Sequence, residues 1–330
     1  MKKSISFITV LFLIIEVHSQ VVEGTVFDQT TKETIYSASI YFDGTSNGTL
    51  SDQNGRFKIS TSKFKSIPLT VSAIGYFSAT ITDFSIDKPL VVFLNRKLFE
   101  LDEVVVNARS QARERKINMT IFKKEFLGTT ANAMSCQISN EKDIRFKYSY
   151  DGDTLKAFAS APIHILNEAL GYELTYFLDH FEFNLKNKTF FYKGSTIYKE
   201  DTTFALNEKK RVERLRRYAY IGSRMHFFRS LWIDDQVSTG FSTYNADNKK
   251  LDYEDLVYQK DAHTKYIHFN GDIGISYYNK QPTSFMHFLK DMVAFDPSGY
   301  FDASAILWYG EMARQRIADS LPFNYVPDTH

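Results

Sequence analysis

Over residues 21–106 the chain breaks into short β-branched and aromatic runs, separated by turn residues about every 8 to 12 positions, a spacing that suits an all-β sandwich. The runs fall at residues 21–27, 39–42, 49–50, 57–59, 69–71, 79–81, 90–94 and 104–106. Asn47-Gly48 and Asn54-Gly55 offer the positive φ that tight hairpins require. Few of these runs could be helix interiors, because they are too short and too rich in Val, Ile, Thr and Phe.

The start of the sequence reads as a secretory signal over residues 1–19. Lys2 and Lys3 supply positive charge, Ile5 to Ile15 form an apolar h-region, and Val17-His18-Ser19 places small residues near a cleavage point between Ser19 and Gln20. A bilayer span needs about 20 apolar residues, and Glu16 ends this run too early. The expected location is therefore outside the cytosol, in the periplasm or associated with the outer membrane. A retained interfacial anchor is the alternative. Cys136 is the one cysteine, so no intrachain disulfide can form and packing must hold the fold.

Composition bounds the partners. Forty Lys+Arg stand against 39 Asp+Glu. Removing Lys2, Lys3 and Glu16 with the leader leaves 38 of each sign, which gives no whole-molecule attraction to nucleic acid. With 43% hydrophobic and 24% charged residues the chain is globular, and its length suits two domains at about 150 residues each.

The order of features in the first half is more specific than their composition. Gly24-Thr25-Val26, Ser39-Ile40, Ser51-Asp52-Gln53-Asn54-Gly55-Arg56-Phe57, Ser72-Ala73-Ile74-Gly75-Tyr76 and Leu101-Asp102-Glu103-Val104-Val105-Val106 follow one another. Residues 20–106 resemble the carboxypeptidase regulatory-like domain, a transthyretin-like sandwich, with Ser51 in place of the commoner Thr and Tyr36-Ser37 in place of a small pair. The resemblance implies a non-catalytic module and no peptide hydrolysis.

Residues 107–118 contain Arg109, Arg113, Glu114, Arg115 and Lys116 and read as a solvated linker. Residues 119–330 then mix strand and helix signals, as an α+β domain does. Hairpins are expected through Asp151-Gly152, Lys193-Gly194 and Asn270-Gly271. Leu215, Tyr218, Gly222, Met225, Phe228 and Trp232 place one apolar stripe on a helix over residues 208–233, with Gly222 weakening it. A second helix is expected over residues 311–320, ended by Pro322. Leu170-Gly171-Tyr172, Arg217-Tyr218-Ala219-Tyr220-Ile221-Gly222-Ser223 and His226-Phe227-Phe228-Arg229, taken with the sandwich, resemble exported two-domain carboxypeptidase-like regulatory proteins of Bacteroidetes. That resemblance implies a cell-envelope location and carries no activity.

Catalytic signatures are weak throughout. Gly44-Thr45-Ser46-Asn47-Gly48 has the spacing of a nucleophile elbow but lies between two strands, whereas the elbow needs a strand-to-helix turn. The S-x-x-K matches at Ser60 and Ser62 are expected by chance. The His164 to Glu168 spacing is one residue too long for a metallocarboxypeptidase, and no H-E-x-x-H occurs. Asp151-Gly152-Asp153 reads as a turn ahead of a cation site. No catalytic residue, metal or cofactor is assigned. The ligand-binding candidates are Arg217, in a basic run from Lys209, and His226 with Arg229, which share a helix face suited to an anion. The expectation is a non-enzymatic envelope protein that binds an unknown protein or glycan, reaching a membrane only through that partner. An accessory of TonB-dependent uptake and a hydrolase with an unfamiliar site are the alternatives.

Overall fold

The computed structural model describes residues 21–328 apart from 62, 63, 65, 83, 85–87, 98–107, 204, 279 and 280. The leader with its Ser19/Gln20 junction, the second S-x-x-K match and the expected strand at 104–106 lie outside the described residues.

The first unit is the expected sandwich. Strand Val21–Asp28 pairs with Arg56–Ser60 on one side and, in parallel, with Leu90–Leu94 on the other. The facing sheet runs Gly48–Leu50, Ser39–Phe42, Leu69–Ser72, Ala79–Ile81. Alternation along the strands turns Val22, Val26, Phe57 and Ile59 into a shared core with Ile40, Leu69 and Val71. The buried end of the first strand is Asp28, whose carboxylate accepts from the Thr30 and Thr31 amides (2.7 and 2.9 Å), Tyr76 (2.8 Å) and Arg96 (2.5 Å). The Thr31 amide bond, followed by Arg96, holds this carboxyl well below the usual range. Gly55 has the expected positive φ, but Gly48 does not. In the loop after Phe42 that role falls to Gly44, at φ 69°, and Gly48 serves as a strand residue against Tyr41.

Residues 107–118 were expected to be a solvated connector; helix Ala108–Leu127 occupies this stretch. The charged residues 113–116 are its mostly exposed early turns, while Met119, Phe122 and Phe126 continue one apolar face onto the next sheet. Phe122 packs on Phe181 (4.8 Å) and Phe126 on Tyr176 (4.9 Å). That sheet is centred on the long strand Tyr172–Asn184. Phe190–Glu200 pairs along one edge, and Ile163–Asn167 and Thr154–Ala159 share the other. The Asp151-Gly152 hairpin forms as expected between Ile144–Tyr148 and Thr154–Ala159. Lys193-Gly194 is not a turn. It lies inside one continuous strand, and Gly194 is needed because a Cβ there would stand 2.3 Å from the Phe177 carbonyl oxygen.

The remaining residues enclose a separate core. One sheet orders Phe241–Tyr244, Ile273–Tyr277, Ser284–Phe288 and Ile306–Gly310, and another Val257–Gln259, Lys265–Ile267 and Val293–Phe295. Asn270-Gly271 therefore links two sheets and makes no hairpin. The helix expected over 208–233 is two helices, Leu206–Tyr220 and Arg224–Trp232. Gly222 at φ 71° breaks it, and the Ser223 hydroxyl caps the second by accepting from the His226 amide (3.0 Å). The second buries Phe227, Phe228 and Leu231 in the new core. The helix expected over 311–320 is replaced by two short 3-10 turns, Met312–Arg314 and Ile317–Asp319. Gln315 and Arg316 between them are extended, so the apolar spacing there belongs to a segment crossing the molecule.

The sandwich docks through residues 43–45. Gly44 donates its amide to the Thr196 carbonyl (2.9 Å), Tyr198 to the Thr45 carbonyl (2.9 Å) and Phe323 to the Gly44 carbonyl (2.7 Å). Thr45 bridges Ile197 as a parallel strand would, and Tyr41 stacks on Phe177 at 5.3 Å. Gly44→Ala would place a Cβ 2.7 Å from the Phe323 ring in a left-handed backbone. It is expected to destabilise the chain by at least about 2 kcal/mol in urea unfolding. A change within about 0.5 kcal/mol would contradict this docking geometry.

Candidate functional site: a cavity beneath the C-terminal segment

Where the three cores meet, a cavity of ≈ 180 Å³ opens beneath residues 315–323. The strand Phe190–Glu200 contributes Tyr192, the helix Leu206–Tyr220 contributes Ala219, and the start of the helix Arg224–Trp232 contributes Ser223, Arg224 and Met225. Gln315, Arg316, Asp319 and apolar residues of the crossing segment complete it. Apolar side chains form most of the wall, with two guanidinium groups set into it.

Arg224 is held by the chain that covers it. Its Nε and Nη2 donate to the Met312 carbonyl (3.0 and 2.7 Å), and Nη2 also to that of Gln315 (3.0 Å). Arg316 donates Nε to the Glu125 carbonyl (3.1 Å) and lies 4.0 Å from the Phe190 ring centroid. Burial pushes the Arg224 guanidinium down to about 10, the Tyr192 phenol opposing and Arg316 adding to the shift. Burial also lowers Arg316 and raises the Tyr192 phenol. Among the described residues, Arg224 Nη1, Arg316 Nη2 and the Tyr192 hydroxyl have no hydrogen-bond partner, and neither guanidinium has a carboxylate oxygen within 4.0 Å. Asp319 accepts from Thr130 and Asn132 through Oδ1 (both 2.9 Å), while its Oδ2 is buried and unpartnered. Burial raises its carboxyl.

The expected ligand residues fall elsewhere. Arg217 is on the exposed face of its helix. Its neighbour Arg216 is the buried one, donating to the Leu170 carbonyl (2.8 Å) and Glu200 (2.5 Å) and lying 4.1 Å from the Tyr172 ring centroid. Arg229 donates to the carbonyls of Ser298 (2.8 Å), Phe323 (3.1 Å) and Tyr325 (2.9 Å). His226 accepts the Gly222 amide at Nδ1 (3.1 Å) and packs against Tyr220, Phe241 and Tyr277. His226 and Arg229 are brought together around Tyr220, but as internal hydrogen-bonding groups, and Arg217 does not join them. Cys136 is half-buried, and burial, with Asp319 and Glu168 nearby, pushes its thiol up to about 12. Sequence reasoning missed Tyr192, Arg224 and Arg316. Only packing marks them, because each stands in a run already explained as strand or helix.

Residues 22–106 match the family model of the CarboxypepD_reg-like domain, a general Ig-like binding or regulatory module. Among the curated proteins, none matches this sequence. Among the described residues, no helix is long and apolar enough to cross a membrane.

Two buried groups titrate with opposite sign. Burial, with Arg229 adding, depresses His226 to about 4, so its contribution is present above about 6.5 and lost as pH falls toward 4. Burial raises Asp43 to about 6, so its contribution is greatest below about 4 and lost as pH rises toward 6. Relative to the parent, His226→Gln is expected to gain stability on acidification from pH 6.5 to 4. Asp43→Asn is expected to gain on alkalinisation from pH 4 to 6. Urea midpoints across pH 4–7 check both, and curves parallel to the parent would refute the assignment.

Proposed function

We propose that this chain is a non-enzymatic binding protein of the bacterial cell envelope, exported to the periplasm or associated with the outer membrane. The N-terminal sandwich acts as a docking module, and the second half carries a ligand cavity. The observation that carries the reading is the cavity itself: it presents hydrogen-bond donors on apolar walls, under a segment held by main-chain contacts. The states of two potential catalytic side chains outside the cavity lining support binding over bond cleavage. His226 has its Nδ1 occupied and its ring held neutral at physiological pH, and Cys136 is kept as a thiol. The regulatory-like match over residues 22–106 agrees with a module that presents surfaces. The basic n-region, the apolar run at residues 5–15 and the small residues before Gln20 support export. The partner in this reading is an envelope protein or glycan.

Fractionation of host cells with mass spectrometry of the amino terminus tests the location. The expected product begins at Gln20 and is recovered with the periplasm or outer membrane. An intact Met1 in the cytosolic fraction would overturn the proposal.

A further inference from the structure

The cavity's chemistry narrows what it can hold, and the argument rests on the reading of this chain as a binding protein. Two cations and a phenol line one small volume, and each keeps a donor with no hydrogen-bond partner among the described residues. A buried guanidinium bonded only to neutral carbonyls keeps its full charge, and that charge is costly unless an anion joins it. Met312 and Gln315 carbonyls orient Arg224 without neutralising it. The nearby carboxyls offset only part of the charge. Asp319 is bonded to Thr130 and Asn132 through Oδ1 alone, its Oδ2 buried and unpartnered, and Glu125 lies 3.4 Å from Lys124. Two guanidinium groups against one cavity-lining carboxyl leave an excess of one positive charge, which matches a monoanion better than a dianion. Met225, Phe301, Ile317, Leu321 and Phe323 form the rest of the wall and favour an apolar body over a wholly hydrated ion.

Size sets the last limit. An apolar cavity of about 150 Å³ holds a benzene ring, so ≈ 180 Å³ admits a ring or short chain with one small head group. We propose that this cavity binds a small monocarboxylate with an apolar body, its carboxylate accepting from Arg224 Nη1, Arg316 Nη2 and the Tyr192 hydroxyl, and its body packed on Met225, Phe301 and Leu321. Bidentate or forked contact to a carboxylate is the geometry guanidinium groups serve best. The contact also supplies the missing counter-charge, so occupancy stabilises the joint between the cores.

The test uses the full mature chain with benzoate and hexanoate, against benzyl alcohol and hexan-1-ol of matching shape, read by calorimetric titration and thermal unfolding. Both carboxylates are expected to bind saturably and raise the midpoint, and the alcohols to do neither. Tyr192→Phe removes one hydroxyl and is expected to weaken carboxylate binding about tenfold while leaving the unliganded fold intact. Arg316→Gln is expected to weaken it further. The proposal fails if neither carboxylate binds, or if both variants bind as the parent does. Tighter binding of inorganic phosphate would also overturn it by showing a different anion class. Equal binding of the alcohols would overturn the carboxylate assignment while leaving the cavity a binding site. Consumption of a probe, followed by chromatography, would instead overturn the non-enzymatic reading on which it rests.

Discussion

Residues 312–325 carry main-chain carbonyls between the cores without a sheet to receive them, and arginine side chains receive them instead. Arg224 takes Met312 and Gln315, and Arg229 takes Phe323 and Tyr325. Buried carbonyls left without donors would each cost about 1–3 kcal/mol, so these bonds, with those from Asn167 to the Ala318 carbonyl and from the Met312 amide to Ser284, hold the segment across the molecule. Ile317 and Leu321 then join the central core, Met312 the C-terminal one, and Phe323 packs against the sandwich. The cavity follows from this arrangement. Arg224 and Arg316 line it beneath the segment, with Met225, Phe301, Leu321 and Phe323.

The sandwich is joined by a second device of the same kind, a short stretch of main chain entering another unit's edge. Residues 43–45 exchange amide bonds with 196 and 198, and the Asp43 carboxylate accepts the Thr196 amide at 2.7 Å. Tyr41 reaches Ser195 at 2.6 Å. Burial at this joint raises both Asp43 and the Tyr41 phenol. The two joints share Phe323, whose amide bonds the Gly44 carbonyl, so displacement of the C-terminal segment loosens the sandwich as well.

How much was legible in sequence follows the range of the forces involved. Strand alternation and Asn54-Gly55 are local, and the sandwich strands through residue 94 stand where their pattern put them. Asp151-Gly152 is equally local. The errors came where a local pattern served a distant contact. Charges at residues 113–116 hid the start of a helix whose apolar face begins only at Met119. Gly194 and Gly48 resembled turn glycines but relieve close approach of neighbouring chain. The apolar spacing over 311–320 imitates a helix although Arg316 draws the backbone out toward Glu125 and Phe190. The site was less legible still. His226 and Arg229 drew attention by their spacing, yet Arg224, five residues before Arg229, lines the cavity, and nothing in its neighbours distinguishes it. Both Arg224 and Arg229 end at carbonyls of a segment about ninety residues away in sequence, and only Arg224 also lines the cavity.

The central claim is that arginine-to-carbonyl bonds to the C-terminal segment make three cores into one cooperative body. Scanning calorimetry of the full chain, beside Arg229→Met, tests it most directly. The account predicts one transition for the parent, with calorimetric and van't Hoff enthalpies equal, and separated transitions for the variant. Resolved transitions in the parent, or a single unshifted one in the variant, would contradict it.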